Sequence, residues 1–222
     1  MIMTRFDFDS IAQSYDQYYE TPAGAKVDAV EKRLVKTFLK KIPEKEALEI
    51  GCGTGHWSSF FSDNGFQITG VDIGREMINQ AVKKDIPGSV FMQMNAMNLA
   101  FPAESVKNIF TIATAEFVED QEKFFDEVFR VLKRGGCLLT GVLNADSALG
   151  KTKEDHPIYS NARFFTPRSL HNTLSRFGHA QVKGCVMLTD DHQVADYPEG
   201  HGIPGEQRDQ FGAFLVGFVK KL

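Results

Sequence analysis

Residues 47–55 read Ala47-Leu48-Glu49-Ile50-Gly51-Cys52-Gly53-Thr54-Gly55: four residues of a buried strand running without a gap into a glycine turn. A short apolar run that stops at glycines and opens into a helix begins a parallel strand–turn–helix unit. The helix follows through Trp57, Phe60 and Phe61, and Gly65 ends it as a left-handed cap residue. The same pattern then repeats downstream. Phe66–Val71 reads as a strand ending in Asp72, Arg75–Lys84 as a helix, Val90–Met94 as a strand ending in Asn95, and Asn108–Ala113 as another strand. Gln121–Lys133 reads as a helix with Phe124, Phe125, Val128, Val131 and Leu132 on its buried side and Gly135 past its end, and Cys137–Leu143 as a fifth strand. Strands and helices alternating through short connections predict a parallel sheet covered on both faces.

The flanks differ from this repeat. Before it, Thr21 is placed to cap a helix whose first position is Pro22, with Val27, Val30, Leu34 and Phe38 along one apolar face. After it, Thr166-Pro167 opens a further helix, and Gln181–Leu188 and Gly212–Lys220 read as strands with no helical pattern between them. Two such strands are most simply antiparallel, at or beside the sheet's edge. The chain reads as a single domain: a helical flap over residues 1–40, a core over 41–143, and a substrate-side helix with antiparallel strands over 144–222.

Composition narrows the function classes. The chain has 222 residues and a formal charge of −4, with 42% hydrophobic residues, enough for a sizeable core. An acidic chain with scattered basic doublets is poorly suited to nucleic acid, where phosphate neutralisation supplies most of the non-specific affinity. No apolar run approaches the ~18 residues of a membrane helix, and the opening MIMTRFDFDS turns polar too early for a secretory signal. The 3 cysteines, Cys52, Cys137 and Cys185, sit apart in apolar or glycine-rich settings, which predicts reduced thiols and a cytoplasmic protein. His192, His201 and Cys185 lack metal-ligand spacing, so no metal is expected, and Asp190-Asp191 reads as a turn.

Ligands of open parallel sheets bind beyond the carboxyl ends of the strands, where the strand order reverses. The glycines after the first strand admit a ligand to the backbone. Asp72, 21 residues beyond Gly51, is placed to accept both hydroxyls of a ribose, and Asn95 offers an amide to an adenine edge. A dinucleotide fingerprint would need glycine where His56 stands, and Glu49 would repel phosphates. A nucleoside with a cationic end and no phosphate suits Glu49 better, and S-adenosylmethionine carries an ammonium and a sulfonium.

On these residues the chain resembles the class I S-adenosylmethionine-dependent methyltransferases. LEIGCGTG (Leu48 to Gly55) resembles their first motif, GVDIGREMINQA (Gly70 to Ala81) their second, and MNAMNLAFP (Met94 to Pro102) their third, which usually has Asp where Asn95 stands. ATAEFVED, VLKRGG, ARFFTP and GAFLV continue the likeness, which is greatest to small-molecule enzymes of the quinone-biosynthesis type. The resemblance implies a Rossmann-like, seven-stranded, mostly parallel α/β sheet with an antiparallel C-terminal strand. It further implies that Gly51, Cys52 and Gly53 line the methionine part of S-adenosylmethionine, with Glu49 behind the loop orienting its ammonium. Asp72 would bind the ribose, Ile73 and Met77 pack on the adenine, Asn95 and Ala96 meet its edge, Thr114 lie under the methionine moiety, and Tyr15 close over the cofactor.

The catalytic residues stay open, because methyl transfer relies on positioning and desolvation, and a general base is optional. Glu116, Glu119, Tyr18, His56 and His156 are candidates to approach the methyl group. The expected partner is a small-molecule methyl acceptor, under a roof of the N-terminal flap, Asp146 to Phe165 and the loop Thr189 to Gln210. Phe164 and Phe165 are read as core packing first, with an apolar wall for an aromatic or isoprenoid acceptor as the alternative. Metalloid methylation would need exposed cysteines. The alternatives are a non-catalytic cofactor-binding member of the same fold and a nicotinamide-dependent oxidoreductase.

Overall fold

The structure, a computed structural model, describes residues 6–185, 187–188, 194–195 and 211–222, with backbone alone at 187–188 and 194–195. A single 3₁₀ turn, Phe8–Ile11, precedes the helices α1 (Gln17–Glu20) and α2 (Pro22–Leu39). The core then alternates β1 (Glu46–Ile50), α3 (His56–Asp63), β2 (Gln67–Asp72), α4 (Arg75–Lys83), β3 (Ser89–Gln93), β4 (Val106–Ile112), α5 (Gln121–Val131) and β5 (Leu132–Leu143). The last third adds α6 (Ala148–Thr152), α7 (Pro167–Ser175), β6 (Gly178–Cys185), the short β7 (Met187–Leu188) and β8 (Val194–Ala195), and β9 (Phe214–Lys221).

The main sheet has seven strands in the order β3-β2-β1-β4-β5-β9-β6. Strands β1 to β5 pair in parallel, whereas β9 runs antiparallel to both β5 and β6, so β9 alone is reversed. Buried side chains on β9 alternate between the two faces: Phe214, Val216 and Phe218 join one cluster, Leu215 and Val219 the other. That period of two is what a central strand covered on both sides requires.

One face carries α2 and α3 through Leu34, Phe38, Trp57 and Phe61; the other carries α5 and α7 through Phe124, Val128, Leu170 and Leu174. Fully buried phenylalanines such as Phe38, Phe61, Phe110 and Phe124 supply much of this core, at about 1.5–3 kcal/mol for each side chain buried. The lower half of α2 is part of that packing, since Val35 and Phe38 are fully enclosed.

Several boundaries differ from the sequence reading, three of them instructively. The fifth helix stops at Val131 rather than Lys133, because Leu132 turns extended to pair with Val106, and backbone N–H groups of Glu104 and Ser105 capture the carbonyls of Arg130 and Val131. The strand expected over Gln181–Leu188 divides: Gly178–Cys185 lies in the main sheet, while Met187–Leu188 pairs with Val194–Ala195 in a separate ribbon. The third strand ends at Gln93 instead of Met94. Asp190, Asp191, His192, His201 and most of the loop Thr189 to Gln210 lie outside the described residues.

Candidate functional site

In the strand order, β1 and β4 are the neighbours at which the progression reverses, and a cleft opens above their carboxyl ends. Its empty space, open mouth included, is about 990 Å³.

The floor is the turn after β1, which tightens through Gly51, Gly53 and Gly55 at φ of 74°, 52° and 80°, the left-handed region that favours glycine. The first two glycines answer different demands. A Cβ on Gly51 would stand 2.1 Å from Thr114 Oγ1, so the turn packs directly against the end of β4. A Cβ on Gly53 would meet nothing within 4 Å and would project into empty space. The Thr114 hydroxyl lies 3.0 Å from the Ile112 carbonyl and 3.3 Å from that of Ile50, bracing the two strand ends.

Asp72, ending β2, holds the turn from the other side. Its carboxylate accepts the backbone N–H of Gly53 at 2.9 Å and of Gly74 at 2.8 Å. Burial pushes its carboxyl above the usual range; the two N–H donors oppose this, and the nearby Asp9 adds to it. Burial likewise raises the Cys52 thiol, with Glu49 and Asp72 adding negative charge.

Ten of the sequence-predicted residues line this one cleft: Tyr15, Gly51, Cys52, Gly53, Asp72, Ile73, Met77, Asn95, Ala96 and Thr114. Glu49 stands behind the turn and does not reach the cleft wall. It is 1% exposed, accepts the Ser58 hydroxyl of α3, and is pushed up to about 8, by burial first and by Asp72 second. The Asn95 side-chain oxygen accepts the backbone N–H of Met97 at 2.8 Å, so this cleft residue builds its own turn.

Of the catalytic candidates, His56 and Glu119 line the cleft. His56 stacks on Tyr19 at 3.6 Å, and its Nε2 lies 2.7 Å from Asp28 Oδ1 and 3.0 Å from Lys32 Nζ. Glu116 is fully buried, Tyr18 is half exposed, and His156 stacks on Tyr159. Phe164 and Phe165 pack into the core, against Tyr159 and Phe125 respectively. No group of His, Cys, Asp or Glu among the described residues could hold a metal ion. No described helix is long and apolar enough to cross a membrane.

Sequence reasoning gave no site role to Phe8, Tyr19, Trp57 and Phe117, which line the cleft, and it missed Asp9 altogether. The Asp9 carboxylate accepts backbone N–H from Glu76 at 2.9 Å and Arg75 at 3.1 Å, capping α4 from a distant segment. The missing cap was the one available signal: α4 begins after Gly74, which has no side chain to cap it.

Comparison with known proteins agrees with this geometry. A family model described as a methyltransferase domain matches residues 48–140. An uncharacterized protein of Methanocaldococcus jannaschii is 28% identical over 205 residues, covering 89% of this chain and 94% of its own length. The 2-methyl-6-phytyl-1,4-hydroquinone methyltransferase of Synechocystis is 30% identical over 161 residues, or 71% of this chain, but the match spans only 48% of that enzyme. A crystal structure from Thermotoga maritima, described as a SAM-dependent methyltransferase and possible histamine N-methyltransferase, superposes with a TM-score of 0.79. It is 27% identical and is matched over 97% of this chain and 98% of its own.

Proposed function

Because the chain belongs to the class I S-adenosylmethionine-dependent methyltransferases, we propose that it moves a methyl group from S-adenosylmethionine to a small molecule bound at the tyrosine-lined end of the cleft. The observation that carries this reading is the space at Gly53, where the backbone itself forms a cradle that any Cβ would enter. Across that cradle stands Asp72, held at the end of β2 by two backbone N–H groups. With the ribose at Asp72, Ile73, Met77, Asn95 and Ala96 would hold the base, and Gly51, Cys52 and Thr114 would hold the amino-acid tail.

When bound, S-adenosylmethionine supplies a methyl carbon already activated by a sulfonium sulfur. The chain's own work is positioning and the exclusion of water. Tyr15 is enclosed against Phe8 and Tyr19, and these rings close the cleft from the N-terminal segment. Burial raises the Tyr15 phenol, so it stays neutral and serves as wall and hydrogen-bond partner. Glu49, behind the turn, is the residue we assign to the cofactor's ammonium, whose charge would draw off the proton that burial keeps on this carboxyl. Three buried thiols suit a reducing compartment, and we propose the cytoplasm.

Calorimetric titration with S-adenosylmethionine, S-adenosylhomocysteine and NADH tests the reading. Micromolar binding of the first two alone is expected, whereas binding of NADH, or of none, overturns it. Methyl-transfer turnover over an acceptor panel then separates an enzyme from a cofactor-binding protein of the same fold.

A further inference from the structure

The turn that cradles the cofactor runs straight into α3, so the first side chain after Gly55, that of His56, stands in the cleft wall. Its ring lies flat on Tyr19, with centroids 3.6 Å apart and planes 4° from parallel, which puts it at the tyrosine-lined end. Helices α2 and α3 cover the same face of the sheet, and α2 presents Asp28 to the imidazole, with Oδ1 2.7 Å from Nε2. Lys32, one turn further along α2, bonds the other carboxylate oxygen at 2.7 Å and holds the acid in place.

These contacts fix the tautomer of the ring. A carboxylate only accepts hydrogen bonds, so a ring nitrogen 2.7 Å from it carries a proton. Lys32 Nζ lies 3.0 Å from the same nitrogen, but an ammonium only donates, and its proton goes to Asp28. A neutral imidazole with its proton on Nε2 carries its lone pair on Nδ1. Among the described residues Nδ1 has no hydrogen-bond partner, and it is not one of the enclosed, unpartnered atoms. It is open to the space that His56 lines.

The other ionisable side chains of the cleft wall are committed or in the wrong form. Asp72 holds the backbone N–H groups of Gly53 and Gly74. Burial keeps the proton on Cys52, Tyr15 and Tyr19, and Glu119 is exposed. We propose that His56 is a catalytic residue that takes the proton of the acceptor's attacking group through Nδ1, with Asp28 as its positioning residue. The inference rests on the methyltransferase reading and assigns its proton acceptor.

The step balances. The attacking atom of the acceptor forms a bond to the methyl carbon as the carbon–sulfur bond breaks, and the electron pair of that bond stays on sulfur. The proton on the attacking atom passes to Nδ1. The imidazolium so formed faces Asp28 through its Nε2–H and returns the proton to solvent when the methylated product leaves. Products are the neutral thioether, the methylated acceptor and one proton, with no oxidant or reductant consumed.

The test uses two probes that differ in that proton. The full chain, saturated with S-adenosylhomocysteine, is titrated with 4-nitrophenol and with 4-nitroanisole, its methyl ether, by calorimetry and visible absorbance. The phenol should bind about tenfold or more tightly than the ether, as expected of a hydrogen bond that becomes charge-assisted, and its phenolate band should grow on binding. His56→Phe keeps a ring for Tyr19 and should bring the affinity ratio to about one without the phenolate band. Asp28→Asn should lower the bound phenolate fraction while the affinity for the ether stays put, a split that loss of packing alone would not give. Equal affinities in the native chain, binding of the phenol in its neutral form, or binding of neither probe while S-adenosylhomocysteine binds overturns the proposal. Nitrogen NMR of the histidine-labelled chain, with His56→Phe to assign the signal, should show the proton on Nε2. A native ring protonated on Nδ1 alone overturns the proposal whatever binds. Failure of S-adenosylhomocysteine to bind strikes the methyltransferase reading instead.

Discussion

Asp72 Oδ2 accepts the backbone N–H of Gly53 at 2.9 Å, so the acid ending β2 holds the turn that ends β1. In the proposed reading the same carboxylate also accepts the ribose hydroxyls. Asp72→Asn keeps the shape and gives up one acceptor. It should weaken S-adenosylmethionine binding by roughly 1–3 kcal/mol, the cost of leaving polar partners unmet. Titration of the variant checks this, and an unchanged dissociation constant would move the ribose elsewhere.

Gly51 and Gly53 should respond to alanine for different reasons. At Gly51 the new Cβ meets Thr114 Oγ1 at 2.1 Å, so Gly51→Ala should be destabilising by about 1–3 kcal/mol as the packing is forced apart. At Gly53 nothing stands within 4 Å, so Gly53→Ala adds only the strain of a left-handed backbone, roughly 1–2 kcal/mol. Its larger effect should be on the cofactor, whose space the methyl enters. Melting temperature and dissociation constant, measured on both variants, separate the two outcomes; a Gly53→Ala chain with native affinity would contradict the placement of the cradle.

The contrast between these glycines and the tyrosine cluster shows what a sequence can carry. The strand–glycine–helix unit, Asp72 and Asn95 were readable because each follows its own strand within a few residues, and local pattern places all of them at one end of the sheet. Tyr19 and Phe117 were not readable as cleft residues. On paper they are ordinary aromatics, and only contacts between distant segments, Tyr19 on His56 and Phe8 on Phe117, bring them to the cleft. The end of α5 was misjudged for a similar reason. Helix propensity continues past Val131, but β4 offers Leu132 a strand partner from outside the local sequence.

Asp9 reaches α4 across a separation that no local pattern reveals, and its loss should be felt at the cleft. Asp9→Ala removes the acceptor for the first N–H groups of α4 and should cost about 0.5–2 kcal/mol. Because α4 presents Met77 to the cleft and Phe8 lies beside Tyr15, the variant should also release cofactor faster. Hydrogen exchange over residues 6–20 and 74–78 should rise together. If only one segment loses protection, the cap does not couple them.

Three carboxyls held above their ordinary range should make the stability of this chain fall toward alkaline pH. Glu49 and Glu31 are pushed up to about 8 and Glu116 to about 7, from an ordinary value of 4.5. A carboxyl raised in the folded state favours folding fully below about 4.5, and that contribution is lost as pH climbs through the raised value. Melting temperature should therefore decline between pH 5 and 8 by several degrees, since each tenfold gain in a carboxyl's proton affinity on folding is worth about 1.4 kcal/mol. Glu49→Gln keeps a partner for the Ser58 hydroxyl and removes one titration, so its profile should be flatter. A cofactor ammonium near Glu49 favours the charged form, so the stabilisation given by S-adenosylmethionine should grow with pH across this window in the native chain and not in the variant. Melting profiles with and without S-adenosylmethionine decide it: the same pH-dependent gain in Glu49→Gln would mean that the ammonium is held by another group.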